Sequence, residues 1–460
     1  MFVWSLFLSL AAVQARSFTD DRGITHEFTG KPTIVTFAHT AVTLSHFGLG
    51  LDQLVGVWGE FAIDGSDYDF NSDSESSYPA DPTPEEMEFL ASVTHISPSC
   101  KVGYCTEFDL EIFESVKPDY IVMHGYRGKL YGFNTTIEKQ VVNMLGKPII
   151  YIDVTQDATQ PGGNCVGDGG DNSTYCFGKS MIQVIEQYEA LALALGAPRP
   201  ASIDQDKREM CKAAKEFQEA AKIAHSKGVR ALAAYIVDDP TQLSYVAFLA
   251  DDMVLRMYEE LGMPILHPGS CQAANCSQNY FWEWVPTSEF FPECPPGGPL
   301  TPECAANPLY PVDLWLYDHR TTMMFISDEF KTTFPDRAVL QGQHVYWPFG
   351  GGMISYRHAA EILSIVAPRL AAAERIHPAT PCTPADVSSA NHAIEGLGPS
   401  QYACYDETFH RMDYFQCPAD DNKALKGGGI AGIVIAGVVV AAVTSFFVVQ
   451  RCASGKESPK

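Results

Sequence analysis

Residues 280–285 read YFWEWV, four aromatic rings and one carboxylate in a stretch otherwise rich in Cys, Asn, Pro and Gly. If the segment is extended, Trp282 and Trp284 share one face while Phe281 and Glu283 share the other. Aromatic rings normally sit inside periodic helices or strands, so two tryptophans in a loop-like stretch ask for a use. The plainer use of such rings is to fasten an irregular segment to the core. A second set has metal-ligating types. His39 and His124 fall at the ends of two apolar runs, and Asp318 with His319 ends a third. Converging, they would make a nitrogen and oxygen site for zinc or manganese, the alternative chemistry for this chain.

Other chemistries find no residues. There is no GxSxG elbow and no HExxH pair, so the chain does not read as an enzyme. No GxGxxG or P-loop pattern follows a strand, and Gly350–Gly352 reads as a tight turn into a helix. The net charge of −25 disfavours nucleic acid and anionic membrane surfaces.

The ends of the chain suggest its setting. The start, MFVWSLFLSLAAVQARS, has the pattern of a signal peptide cut after Ala15. Residues 430–449 are twenty uncharged residues, long enough to cross a bilayer, and Arg451, Lys456 and Lys460 follow on the expected cytosolic side. Twelve of the thirteen cysteines precede this span. Cys165/Cys176, Cys271/Cys276, Cys294/Cys304 and Cys404/Cys417 come at short spacings that read as disulfides, while Cys211, in a helical stretch, reads as a free thiol. Sequons at Asn134, Asn172 and Asn275 fit the same compartment. The expectation is a type I single-pass glycoprotein at the plasma membrane or in an endosomal compartment.

The elements that must position these residues alternate. Apolar β-rich runs at 31–40, 51–59, 117–126 and 147–154 are separated by helical spacing at 41–50, 109–116 and 135–146. That order implies mainly parallel sheets with crossover helices. The acidic segment 61–95 reads as a surface loop. Two uninterrupted helices, 180–196 and 204–228, precede a second strand–helix series that closes with RAVLQGQHVYWPF (337–349), read as its last strand, and a helix over 353–373. The fold class is therefore α/β: two lobes joined by a long helix, with a C-terminal membrane helix. The expected divisions are a signal peptide (1–15), an N-terminal lobe (16–178), an inter-lobe helix (179–203), a C-terminal lobe (204–375), a Cys-containing stalk (376–429), the span (430–449) and a tail (450–460).

The run TIVTFAHTAVTLSHFGLGLDQLVGV, then VGYCTEFDLEIFESVKPDYIVMHGY, then GKPIIYIDV and a long helix, resembles the bacterial class III substrate-binding proteins. These are bilobed carriers of ferric siderophores, haem and cobalamin. The likeness covers about residues 30–375 and is strongest over Val102–Asp119. FW at 281–282, DLWLYDH at 313–319 and HVYWPFGG at 344–351 resemble pieces of the hydroxamate (ferrichrome) subgroup, and the anchored, glycosylated form resembles the membrane-anchored ferrichrome-binding proteins of diatoms. The resemblance implies a cleft lined by Tyr126, Trp282 and Trp347, with Trp284, Trp58, Tyr235 and Tyr346 as further candidates. The subgroup's ligand-binding arginine falls at Cys105, so Arg127 is the expected replacement donor, with Arg320 and Arg357 more distant. The implied ligand is an Fe(III)-hydroxamate siderophore with no intrinsic cofactor. A ferric reductase or an endocytic partner would take the iron onward, since one helix makes no pore.

Overall fold

The computed structural model describes residues 16–59, 83–97, 104–105, 109–126, 129–130, 132–133, 146–155, 164–166, 175–177, 179–234, 242–247, 252–265, 282–286, 301–306, 312–318, 336–347 and 354–376, with a few single residues between them. The signal-peptide segment, the sequons, most of the helix expected over 135–146 and the 430–449 span lie outside these residues. Among the described residues no helix is long and apolar enough to cross a membrane.

The chain begins with a hairpin, β1 (Arg16–Thr19) and β2 (Thr25–Phe28). Then come β3 (Ile34–Phe37), α1 (Ala38–His46), β4 (Leu54–Trp58), α2 (Pro84–Ala91) and β5 (His95–Ser97). β6 (Tyr104–Cys105), α3 (Leu110–Val116), β7 (Tyr120–Tyr126), β8 (Lys129–Leu130), β9 (Gly132–Phe133) and β10 (Ile149–Thr155) follow. β3, β4, β5, β7 and β10 form one parallel sheet in the order β10-β7-β3-β4-β5, with β8 folding back on β7. A small antiparallel pair, β11 (Asn164–Val166) and β12 (Tyr175–Phe177), sets Cys165 directly opposite Cys176.

The second half opens with α4 (Met181–Leu195) and α5 (Ile203–Ser226). It continues through β13 (Ala231–Ala234), β14 (Gln242–Ala247), α6 (Met253–Glu260), β15 (Trp282–Pro286) and β16 (Leu314–Asp318). α7 (Arg337–Leu340), β17 (His344–Trp347) and α8 (Tyr356–Ala372) complete it. β13-β16-β17 is a second parallel sheet, and β14 pairs antiparallel with β15.

Period-two alternation explains the first sheet. On β7 and β10, Val122, Ile150, Ile152 and Val154 enter the large core shared with α4, whereas Ile121, Met123, Ile149 and Tyr151 enter a smaller core on the opposite face. Both faces are thus covered, as parallel sheets require. The large core continues without a break through α5, α6 and α8 into the second sheet. Its centre is tied by polar contacts: buried Glu189 of α4 accepts from Tyr356 Oη at 2.8 Å and pairs with Lys207 at 2.8 Å and Arg199 at 3.1 Å. These contacts link α4, α5 and α8.

Three expectations are corrected. The 61–95 segment is not all loop: residues 84–91 form α2, begun by a capping box in which Thr83 Oγ1 accepts from the Glu86 amide and Glu86 Oε2 accepts from the Thr83 amide. The run 337–347 is not one strand. Asp336 caps α7 by accepting from the amides of Ala338 and Val339, and only residues 344–347 are extended. Cys211 is not a free thiol: it is disulfide-bonded, as is Cys417. The Cys294–Cys304 disulfide is present as the spacing suggested.

Candidate functional site

In parallel α/β sheets, loops at the carboxyl ends of the strands gather ligand-binding groups, because crossovers there are free to vary. The candidate residues cluster at those ends. Trp58 is the last residue of β4, Tyr126 of β7, Asp318 of β16 and Trp347 of β17. Phe37 and Trp58 are register neighbours on the first sheet, and Asp318 and Trp347 are neighbours on the second. Of YFWEWV, the described residues 282–285 are extended. Trp282 and Trp284 lie on β15 opposite Ala247 and Ser244 of β14, with an irregularity between the two pairs.

A polar network fixes the edge of the first sheet beside Tyr126. Lys179 Nζ pairs with Asp21 Oδ1 at 2.5 Å and donates to the Asp153 carbonyl at 3.3 Å. Tyr151 Oη donates to Asp153 Oδ2 at 2.9 Å. Burial pushes the Tyr151 hydroxyl above its ordinary range, reinforced by Asp153, so it stays a donor. Gly125 is required here: a Cβ would come within 2.1 Å of the Tyr151 ring. Asp20 anchors the neighbouring hairpin. Burial alone would raise its carboxyl, but hydrogen bonds from His26, the Ile24 amide and Arg22 outweigh burial and hold it at about 2.

The structure treats the individual candidates differently. Trp58 and Trp347 are completely buried, each within a hydrophobic cluster, so in this arrangement neither presents its ring as an open wall. The backbones of Tyr126, Trp282, Trp284, Tyr346 and Asp318 are described but not their side chains, and Tyr235, Arg127, His319 and Arg320 lie outside the described residues. Arg357, on the first turn of α8, pairs with Glu361 at 3.1 Å. His39 is half-buried and stacks on Phe37 with centroids 5.4 Å apart. His124 is buried, with Nδ1 at 3.2 Å from Tyr188 Oη. Neither histidine belongs to a cluster of metal-ligating atoms among the described residues.

The cluster that does exist was not foreseen. His46 of α1, Glu86 of α2 and His358 of α8 bring one ligating atom each within 4.8 Å of one another. Burial would raise Glu86, yet hydrogen bonds from His46 and the Thr83 amide hold it at about 2. Burial lowers His358 to about 4. The TPEE run at 83–86 carried a readable signal for α2: a capping threonine, Pro at the first helical position and Glu at the third.

No protein-family model matches the chain, and no curated protein matches it. Solved structures do. DesE, a ferric-siderophore receptor protein from Streptomyces coelicolor, superposes with a TM-score of 0.54 at 18% identity, covering 79% of this chain and 100% of DesE. The chain shares DesE's fold. FhuD from Vibrio cholerae, solved with Fe3+-Desferal, matches with a TM-score of 0.41 at 16% identity over 76% of this chain and 100% of that one. The catecholate-siderophore binding protein VctP from Vibrio cholerae gives 0.42 at 11% identity over 78% and 99%. These neighbours are solute-binding proteins rather than enzymes.

Proposed function

We propose that this protein captures a ferric siderophore of the hydroxamate type at a cell surface for iron uptake. The observation that carries this reading is the DesE-like fold over the whole length of that receptor, combined with aromatic candidates placed at the carboxyl edges of two parallel sheets. A ferric trihydroxamate is compact, nearly neutral and already fully coordinated. Its binder supplies aromatic surface and a few directed donors, not metal ligands. A chain of net charge −25 accommodates such a complex more readily than a triply negative catecholate. In this reading Trp282, Trp284 and Tyr126 form the wall, Arg127 donates to ligand oxygens, and Trp347 and Trp58 underlie the site. The 430–449 segment anchors the protein, and a reductase or endocytic partner takes the iron onward.

Trp282→Ala is the direct test, because its backbone position on β15 is defined. Loss of a stacking indole weakens chelate affinity by roughly 1–3 kcal/mol, about 5- to 150-fold. Unchanged affinity sinks the assignment of the wall. Trp347→Ala is a poorer probe: emptying a wholly buried site costs about 3–5 kcal/mol of stability by itself.

A further inference from the structure

We infer that His46, Glu86 and His358 form a site for one divalent borderline cation, zinc above all, that clamps α1 and α2 to α8. The inference is independent of chelate binding, since these residues belong to none of the strand ends that carry the candidate cleft.

The three ligands come from three separate helices. His46 is the last residue of α1, Glu86 lies in the first turn of α2, and His358 lies in the first turn of α8. His46 Nε2 is 2.6 Å from Glu86 Oε1, and His358 Nε2 is 3.9 Å from the same oxygen. The second distance is too long for a hydrogen bond. Four-coordinate zinc with bonds of about 2.0–2.1 Å separates neighbouring ligand atoms by about 3.3 Å. The two observed spacings bracket that value, so small side-chain rotations bring all three atoms into range. Two imidazoles and one carboxylate make a borderline nitrogen and oxygen set that suits zinc, with a water completing the tetrahedron.

The surroundings orient the ligands as metal sites require. Ser355 Oγ lies 2.7 Å from His358 Nδ1, which aims Nε2 at Glu86. The Thr83 amide donates to Glu86 Oε2 at 2.6 Å, leaving Oε1 for the cation. The His46 and His358 rings meet edge to face with centroids 5.4 Å apart. Glu86 and His358 are buried while the His46 side chain keeps 20% of its surface exposed, which gives an ion a way in. Arg357, the nearest cation in sequence, is paired with Glu361. The seam is already built for close contact: the Ile354 amide donates to Thr43 Oγ1 at 3.3 Å, and Phe47 meets Tyr356 edge to face.

The test uses tag-free, full-length protein in detergent, stripped with chelator. Zn2+ is titrated calorimetrically and Co2+ by its visible absorption, alongside His46→Gln, Glu86→Gln and a His225→Gln control on the exposed last turn of α5. The expected result is one zinc per chain, a tetrahedral cobalt spectrum, and affinity lowered about 100-fold or more in His46→Gln and Glu86→Gln but not in the control. Ferric-chelate affinity is expected to be the same in all four proteins. His46 is partly exposed, so its variant folds even where the Glu86 variant does not. Absence of a one-to-one zinc isotherm, or zinc affinity unchanged in His46→Gln, overturns the inference. Zinc binding by a wild-type protein that binds no ferric chelate overturns the proposed function instead and leaves this inference standing.

Discussion

Asp336 offers a prediction whose size follows from the structure. Its carboxyl is wholly buried at the start of α7, where Oδ1 accepts from Trp315 Nε1 at 2.9 Å and from the Ala338 amide at 2.8 Å, while Oδ2 has no hydrogen-bond partner among the described residues. Burial raises the group to about 6 from an ordinary 3.8, against the lowering effect of those donors. A group raised on folding adds stability below its unfolded value and loses that contribution as pH rises through its folded value. The rise corresponds to roughly 3 kcal/mol, released between about pH 4 and pH 6. Asp336→Asn keeps the Oδ1 acceptor and removes the titration. Urea unfolding of both proteins from pH 4 to pH 7, plotted as the difference between them, cancels the other carboxylates. The variant is expected to gain on the wild type by about 3 kcal/mol across that window. A flat difference refutes the argument, and a difference of opposite sign means the carboxylate is stabilised by its cap rather than penalised by burial.

Two further perturbations probe the supports of the site. Tyr356→Phe removes the hydroxyl that donates to buried Glu189 but leaves Lys207 and Arg199 in place, so a loss of about 1–2 kcal/mol in urea unfolding is expected; no loss means the link between α4 and α8 is idle. Gly125→Ala drives a methyl into the Tyr151 ring and costs about 1–3 kcal/mol, and the Tyr151–Asp153 bond at the sheet edge loosens with it. Wild-type stability in that variant shows that Tyr151 swings aside freely.

Much of the fold was legible because its signals are local. The apolar runs of β3, β4, β7 and β10, the Asp109 cap of α3 and the glycine after α4 are each written within a few residues. α2 was obscured by acidic neighbours, although its TPEE capping box was in plain view. α7 is a single turn whose apolar residues carry no period, so only Asp336 marked it. Trp58 and Trp347 show the limit of strand-end reasoning. Alternation says that adjacent residues face opposite sides, but in a sheet covered on both faces each side is core. The His46, Glu86 and His358 grouping was invisible for another reason: its members are far apart in the sequence and meet only through the packing of α8 against α1 and α2.

The measurement closest to the central claim is equilibrium binding of a ferrichrome-type chelate to residues 16–425, read by tryptophan fluorescence in parallel with the gallium-substituted chelate. Gallium keeps the shape and charge of the complex while removing simple quenching by iron. The account predicts saturable binding of both chelates with closely similar affinity and none of the iron-free chelator at the same concentration. Response to neither chelate, or to the iron form alone, contradicts it.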